Sequence, residues 1–539
     1  MIAGRRAGIA ALVCVALAGA TIIQSFSWNQ TSHYALIRSI AHGTPKIDQF
    51  AIETGDKARD KGHWYSSRAP GFAFFSVPAY GALLAVQGPS IARHAKAQRG
   101  ADEMLWGLAL WGAVLPGLVL LLLVRWMGDR LEPGYGTAAA VTLGLGTLVL
   151  PLSTLLFSHV FSACLGFGAF CLLMREREGS PSLPRLFVAG LMVGYAITAE
   201  YPVLFAGVVL GVYALAREGW LKRALTYAAG VAIGVIPLAL YDRWAFGSFT
   251  HLAYADLPRH QSGFFGIRPP SMATLATLLF SSRGLLVLSP VLAMGVVGTV
   301  MLYRRGRRAE ALAIGAIVLA YLGYNSGYYL PFGGGSPGPR FLTTMLPFLA
   351  VPLALTYRRF PGPTLALACI SAVVYGLATI THPLIGYETE TVTWTRYVTD
   401  DYFQPTILTA LGAGRGWVAT LPFWALAAAA IVLAVRATPR GSLSTLGLGA
   451  GALLAGGWVL FAILAPTGLG IDHSALRNTY RAGDKRALSL PWGPHPLTHL
   501  GIAALVVALL ALAVAAALGR TGWRSARALR VGARPAGLR

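Results

Sequence analysis

The stretch Lys46–Tyr80, KIDQFAIETGDKARDKGHWYSSRAPGFAFFSVPAY, decides how the rest of the chain is read. Asp48, Glu53, Asp56 and Asp60 alternate with Lys46, Lys57, Arg59, Lys61, His63 and Arg68. The charge then stops, and APGFAFFSVPAY continues as an apolar segment suited to lying on a bilayer surface. A polar loop feeding an interfacial helix is what an enzyme with a lipid-borne substrate needs.

Outward from this insert, apolar runs of about 20 residues, the length a bilayer core requires, recur along the chain. Charged residues make up 12% of the 539 and apolar residues 55%, and the mean hydropathy is +0.60. A soluble protein carries roughly 25% charged residues. The composition therefore predicts an all-α polytopic membrane protein. A net charge of +23 would suggest nucleic acid in a soluble chain, but here the arginines cluster at helix ends, as the positive-inside rule requires, and no nucleic-acid partner is expected. The four cysteines, Cys14, Cys164, Cys171 and Cys369, lie in apolar runs without a CxxC pair, so neither a metal site nor a disulfide framework is indicated. The Arg-for-Lys bias points to a high-GC bacterium and its plasma membrane.

The arginines also set the topology. A first span, Ala7–Ser27, leaves Arg5 and Arg6 inside and makes Trp28–Asp102 a long external loop carrying juxtamembrane helices. Further spans run over Glu103–Val124, Gly136–Phe157 and His159–Met174. Between Arg185 and Arg217 there is room only for two helices of about 15 residues, each reaching about 22 Å against a core of ~30 Å. They turn at Thr198-Ala-Glu-Tyr-Pro202 and put Glu200 on the floor of a vestibule. Alternation then resumes with Ala224–Tyr241, Gly284–Leu302, Ala309–Gly327, Phe341–Thr356, Pro363–Ile380, Gly416–Val435, Leu443–Ala465 and a last span ending at Arg520. The expectation is about 14 spans with both termini cytoplasmic and every arginine cluster between spans on one side. The chain divides into a catalytic membrane module over 1–360, additional helices over 361–519 and a basic tail over 520–539.

The chemistry-bearing residues fall outside. An external Asp can serve as general base or hold a divalent cation, the one cofactor the pattern allows, and Asp48 and Asp56 flank a short helical stretch of the first loop. Most acids in such loops are merely solvated. Glu200, at apparent membrane depth, needs water or a partner, with an Arg or a backbone donor expected. Lys57, His63, Tyr65, Arg68 and Arg340 are the candidates for holding a phosphate, Arg being the better planar donor. Arg340 opens a helix after Gly333-Gly-Gly-Ser-Pro-Gly-Pro339, where its bland alternative is a snorkelling anchor. Trp28, Trp64, Tyr254, Tyr324, Tyr328 and Tyr329 fit an aromatic belt at the outer interface.

Taken together, Tyr65-Ser-Ser-Arg-Ala-Pro-Gly71, Ala199-Glu-Tyr-Pro202, Gly247–Tyr254, Ser281-Ser-Arg-Gly-Leu-Leu286 and Gly338-Pro-Arg340 resemble the GT-C superfamily of membrane glycosyltransferases, in its protein mannosyltransferase and aminoarabinose transferase group. The resemblance covers Ser27–Leu355. It implies a GT-C fold and an inverting transferase taking a sugar from a polyprenyl-phosphate donor to an envelope glycan, glycolipid or protein on the outer face. It also implies a first-loop carboxylate as base, Asp56 or Asp48, and Arg68 and Arg340 on the lipid phosphate. Many relatives carry an acid directly after the first span, where this chain has Asn29-Gln30, which leaves the base open between the two aspartates, Asp56 being favoured for its nearness to Arg68. The competing class, a secondary transporter or lipid flippase, predicts related halves and several broken helices; one short pair without a second copy speaks against it. A scaffold would not need so many external acids and arginines.

Overall fold

Residues 2–25, 27–92, 103–257, 265–281, 283–384, 394–439, 444–464, 505–514 and 516 are described by a computed structural model. They form a bundle of helices with a single two-stranded hairpin among them. Six helices are long and apolar enough to cross a membrane: Glu103–Leu131, Ser158–Glu178, Trp220–Phe246, Arg308–Gly327, Pro361–Ile380 and Trp417–Ala437. Two bent pairs, Met272–Leu288 with Val291–Arg304 and Arg340–Ala350 with Leu353–Arg359, raise the number to eight if each is one span. The chain is thus an all-α multi-pass membrane protein. Of the last expected span, 505–514 and 516 are described, Leu505–Val514 as a short apolar helix; the basic tail, Asp102, Glu388 and Glu390 lie outside the described residues.

Besides these bent pairs, which break the expected Gly284–Leu302 and Phe341–Thr356, two expected spans differ from the helices found. The first helix, Ile2–Ala20, ends early; Ile22 then bridges Thr406, and the Ile23 N–H donates to the Pro405 carbonyl at 2.7 Å. Gly136–Phe157 is broken into Gly136–Leu145 and Val149–Ser153. The break falls at Gly146, whose N–H closes on the Thr142 carbonyl at 2.8 Å, and Thr147 caps back onto Leu143 at 2.6 Å. Apolar composition carries on through this break, so hydropathy alone does not reveal it. The short pair is real but unequal: Leu183–Ala199 is about 25 Å long and Val203–Leu215 about 20 Å.

Small residues bring the short pair close to its neighbour. Gly190 and Gly194 face Gly230 and Gly234 of Trp220–Phe246, and a Cβ added at Gly190 or Gly194 would sit 2.2 Å from the carbonyl oxygen of Tyr227 or Val231. Only Gly permits that approach, the small-xxx-small solution to helix association without a hydrophobic driving force.

The arginine loops join one another at one end of the bundle. Arg223 donates to both Glu176 oxygens at 2.8 and 2.7 Å, and Arg217 approaches the same carboxylate. Glu178 holds Arg130 and Arg307, each at 2.6 Å; Glu132 accepts from Arg305 at 2.6 Å and from Arg358. Five loops distant in sequence are thereby tied into a single ionic face.

The opposite end carries the first long loop. Trp28–Ala41 is helical, Asp48–Glu53 is a 3₁₀ turn, and Lys57–Asp60 pairs antiparallel with His63–Ser66. Lys61 and Gly62, at φ 46° and 86°, make the two-residue turn that suits a twisted hairpin. The helix Gly71–Gln87 buries Phe72, Ala73, Ser76 and Tyr80 on its first half, and its last turn is exposed.

Candidate active site

Gly71 fixes the loop to the short pair. A Cβ there would lie 2.7 Å from the Ala199 nitrogen, so the chain can pass directly over the turn that carries Glu200, and the Tyr195 hydroxyl donates to the Gly71 carbonyl at 3.0 Å. Residues 66–70 are thus held against that turn.

Asp56 is held by a local network. The Ser32 hydroxyl donates to the Asp56 carbonyl at 2.5 Å and shares a 2.8 Å hydrogen bond with the Ser66 hydroxyl, and the Asp56 N–H donates to Thr54 Oγ1 at 3.1 Å. Its carboxylate forms an ion pair with Arg68. Burial is the largest influence on the Arg68 pKa and lowers it, but Asp56 and the Tyr254 and Tyr328 phenols together outweigh it and hold the guanidinium more firmly charged.

Asp48 stands elsewhere. Its oxygens accept from the Trp64 N–H at 2.7 Å and from His63 Nδ1 at 2.8 Å, pinning the 3₁₀ turn to the hairpin. Burial pushes its carboxyl up, but these two hydrogen bonds prevail and hold it below the usual carboxylate range. Lys57 donates to the Ala51 carbonyl and sits 4.6 Å from the Trp64 ring. Tyr65 points to the other face, 4.7 Å from the Phe246 ring, its phenol raised first by burial and then by Asp60. The five residues 48, 56, 57, 63 and 68 therefore separate into two groups: Asp56 pairs with Arg68, and Asp48 pairs with His63, with Lys57 held nearby by the Ala51 carbonyl.

Among the described residues the hydrogen-bond donors to Glu200 are side chains of a neighbouring helix, and the expected Arg acts only through its charge, as Arg340. The Glu200 carboxylate accepts from His159 Nδ1 at 2.6 Å and from the Ser162 hydroxyl at 2.7 Å. The reason is position: the chain bends at 200–202 opposite the first turn of Ser158–Glu178, and both 159 and 162 lie on that turn's inner side. The same helix reaches Glu176 and the ionic face about 26 Å away, so the two charged clusters mark opposite ends of the bundle.

Arg340 is 4% exposed and does not snorkel. Its guanidinium lies 5.2 Å from the Phe157 ring and 5.4 Å from Phe341, and donates to the Gly335 carbonyl at 3.2 Å. Phe341 and Phe157 also flank His159, at 5.9 and 5.7 Å between centroids. Tyr328 packs on Phe341, Tyr324 and Tyr329, and Tyr201 on Tyr254, which makes an aromatic wall beside these charges. Burial drives the Tyr329 phenol up to about 12. Two residues escaped the sequence reading, His33 and His159. For His159 the available signal was an ionisable side chain in a span close to Glu200's depth; His33, on the loop helix Trp28–Ala41, carried none. Among the described residues, no three His, Cys, Asp or Glu side chains form a group that could hold a metal ion.

No protein-family model matches the chain, and no curated protein sequence does. Among solved structures, its fold is similar to that of an Archaeoglobus fulgidus oligosaccharyltransferase. The apo form matches at 12% identity and a TM-score of 0.39, covering 88% of this chain and 60% of that one. The complex with Zn and sulfate matches at 12% identity and 0.38, over 72% and 55% of the two chains. The form tethered by a disulfide bond to an acceptor peptide containing the NVT sequon matches at 13% and 0.40, over 87% and 59%. The chain thus covers at most about three fifths of the length of these structures.

Proposed function

We propose that the chain is an inverting glycosyltransferase that moves a sugar from a polyprenyl-phosphate donor to an acceptor hydroxyl of an envelope glycan, glycolipid or protein on the outer face of a bacterial plasma membrane. The observation that carries this reading is the pairing of Asp56 with Arg68 at the end of the bundle that also holds Arg340 and the Glu200–His159 pair, remote from the ionic face. A base, two guanidinium groups and an aromatic wall are what such a transfer requires. The motif resemblance of Tyr65–Gly71, Ala199–Pro202 and Gly338–Arg340 to GT-C transferases adds to it.

In this mechanism the donor phosphate draws the Arg68 guanidinium to itself while Arg340 binds it as well, and the Asp56 carboxylate is released to the acceptor. Asp56 takes the hydroxyl proton as the acceptor oxygen attacks the anomeric carbon from the face opposite the phosphate. The carbon–oxygen bond to phosphate breaks, its electron pair passing to the leaving oxygen, and the configuration inverts. A positioned base of this kind contributes ~10²–10⁴-fold. Asp48, with both oxygens engaged by the hairpin, is assigned a structural role, and Lys57 and His63 go with it. Charge compensation is assigned to Arg68 and Arg340. The apolar groove of about 460 Å³ lined by Phe74, Tyr195, Pro237, Leu240, Tyr241 and Trp244 is assigned to the lipid chain, since Tyr195 links it to Gly71.

The test is transfer from a synthetic polyprenyl-phosphate sugar by purified protein in nanodiscs. The product should have inverted anomeric configuration, and Arg340→Lys should slow donor use although the charge is kept, because the planar fork is lost. Transfer from nucleotide sugars and from none of the lipid-linked ones contradicts the proposal.

A further inference from the structure

His33 is 1% exposed, and neither ring nitrogen has a hydrogen-bond partner among the described residues. A neutral imidazole carries one N–H and one lone pair, and buried polar atoms left unpaired are rare enough in native structures to need a reason. His159 shows the same feature on one side: Nδ1 is committed to Glu200, and the buried Nε2 has no partner. The carboxylate takes Nδ1–H, so that His159, as the imidazolium of an ion pair with Glu200, turns Nε2–H to the corner left for an anion.

The surroundings say which ligand. His33 stands on Trp28–Ala41, next to Ser32, which binds the Asp56 backbone, and its ring meets Phe72 at 5.0 Å. The charges it feels come from three other elements: Arg68 of the first loop, His159 of Ser158–Glu178 and Arg340 of the turn Arg340–Met345. The neighbouring carboxylates, Asp56 and Glu200, are already taken by Arg68 and His159. Burial first, and then these cationic neighbours, hold the His33 pKa well below the ordinary histidine range. Among the described residues, the groups acting on His33 are predominantly positive, and an anion bound between them reverses the field at His33.

We propose that His33 and His159 are ligands of the donor phosphate, completing with Arg68 and Arg340 a four-sided oxyanion pocket, and that His33 binds a proton as the phosphate enters. This rests on the transferase reading above and adds to it a proton uptake step and two phosphate ligands from outside the arginine set. The proton comes from solvent on binding and leaves with the phosphate, so none is consumed in the transfer.

The test uses two phosphate diesters that do not themselves titrate near neutrality: farnesyl methyl phosphate for a lipid-linked source and dimethyl phosphate for the headgroup alone. Binding to the full chain in nanodiscs is measured calorimetrically in two buffers of different ionisation heat, between pH 6 and 8. Wild type should take up close to one proton per diester and bind up to tenfold more tightly per unit fall in pH. His33→Gln should bind more weakly and lose the buffer dependence, His159→Gln should bind more weakly, and Arg340→Ala should bind more weakly but keep the proton uptake. Uptake with both diesters, or with the farnesyl compound alone, supports the proposal. Wild-type binding without proton uptake overturns it, as does His33→Gln with wild-type affinity and proton count, and if Arg340→Ala still weakens binding the transferase reading stands. Failure of wild type to bind either diester overturns both.

Discussion

Gly333→Ala perturbs the placement of Arg340 without touching its chemistry. Gly333 has φ +82°, and a Cβ there would lie 2.5 Å from Arg340 Nε, 2.9 Å from Cγ and 3.1 Å from Cδ. An L-residue in this left-handed region costs about 1–2 kcal/mol, which a folded bundle can absorb. The contact is the larger matter, because the side chain must give by about an ångström to restore ordinary van der Waals separation. It cannot swing freely, since Phe157 and Phe341 flank the guanidinium. A charge-assisted hydrogen bond to the donor displaced that far is lost, and such bonds contribute about 1.5–3 kcal/mol, or roughly 10- to 100-fold in donor affinity. Donor KM in the reconstituted transfer assay should rise by that factor while acceptor KM holds. Combined with Arg340→Ala, it should add little, because both remove the same contact. A folded Gly333→Ala protein with wild-type donor KM, or one whose effect adds in full to that of Arg340→Ala, refutes the reasoning.

Asp48→Asn should leave turnover near normal while loosening the hairpin. Because the folded carboxyl is held below its ordinary value, its contribution is present above about pH 4 and lost as pH falls through the folded value, so protease protection of residues 57–66 should drop on acidification in wild type and change little in the variant. Glu176→Gln leaves Arg223 unpaired at 5% exposure and should destabilise the protein by about 3–5 kcal/mol in denaturant unfolding, with donor KM unchanged in protein that remains folded. A cysteine at position 56 should react with an impermeant reagent added outside intact cells, and one at position 177 only after permeabilisation.

Much of the architecture is legible in the sequence because arginine obeys a side rule. Arg130, Arg217, Arg305 and Arg358 were placed together by that rule, and the structure joins their loops through Glu132, Glu176 and Glu178. Helix breaks were less legible. Gly146 and Thr147 interrupt an apolar run without changing its hydropathy, and the retreat of 21–25 from the first helix depends on pairing with Thr406, nearly 400 residues on. The hairpin turning at Lys61-Gly62 is not legible in the sequence, because its four-residue strands are dense in charge and carry no apolar alternation. At the site, nearness in sequence groups Asp56, Lys57, His63 and Arg68; the structure pairs Asp56 with Arg68, whereas Lys57 donates to the Ala51 carbonyl and His63 to Asp48, contacts that no spacing pattern carries. Glu200 was singled out by depth alone, and its partner lies 41 residues back on another helix, a relation no local pattern carries.

The central claim is that Asp56 removes the acceptor proton beside the phosphate-binding arginines. Its most direct measurement is single-turnover transfer of radiolabelled sugar from a synthetic polyprenyl-phosphate donor by wild type, Asp56→Asn and Asp48→Asn, with donor binding measured on the same samples. Asp56→Asn should lose ~10²–10⁴-fold in rate while donor binding is retained, and Asp48→Asn should stay within a fewfold of wild type. Near-normal turnover by Asp56→Asn contradicts the account, and if Asp48→Asn is also active the base must be sought at Glu200 and His159.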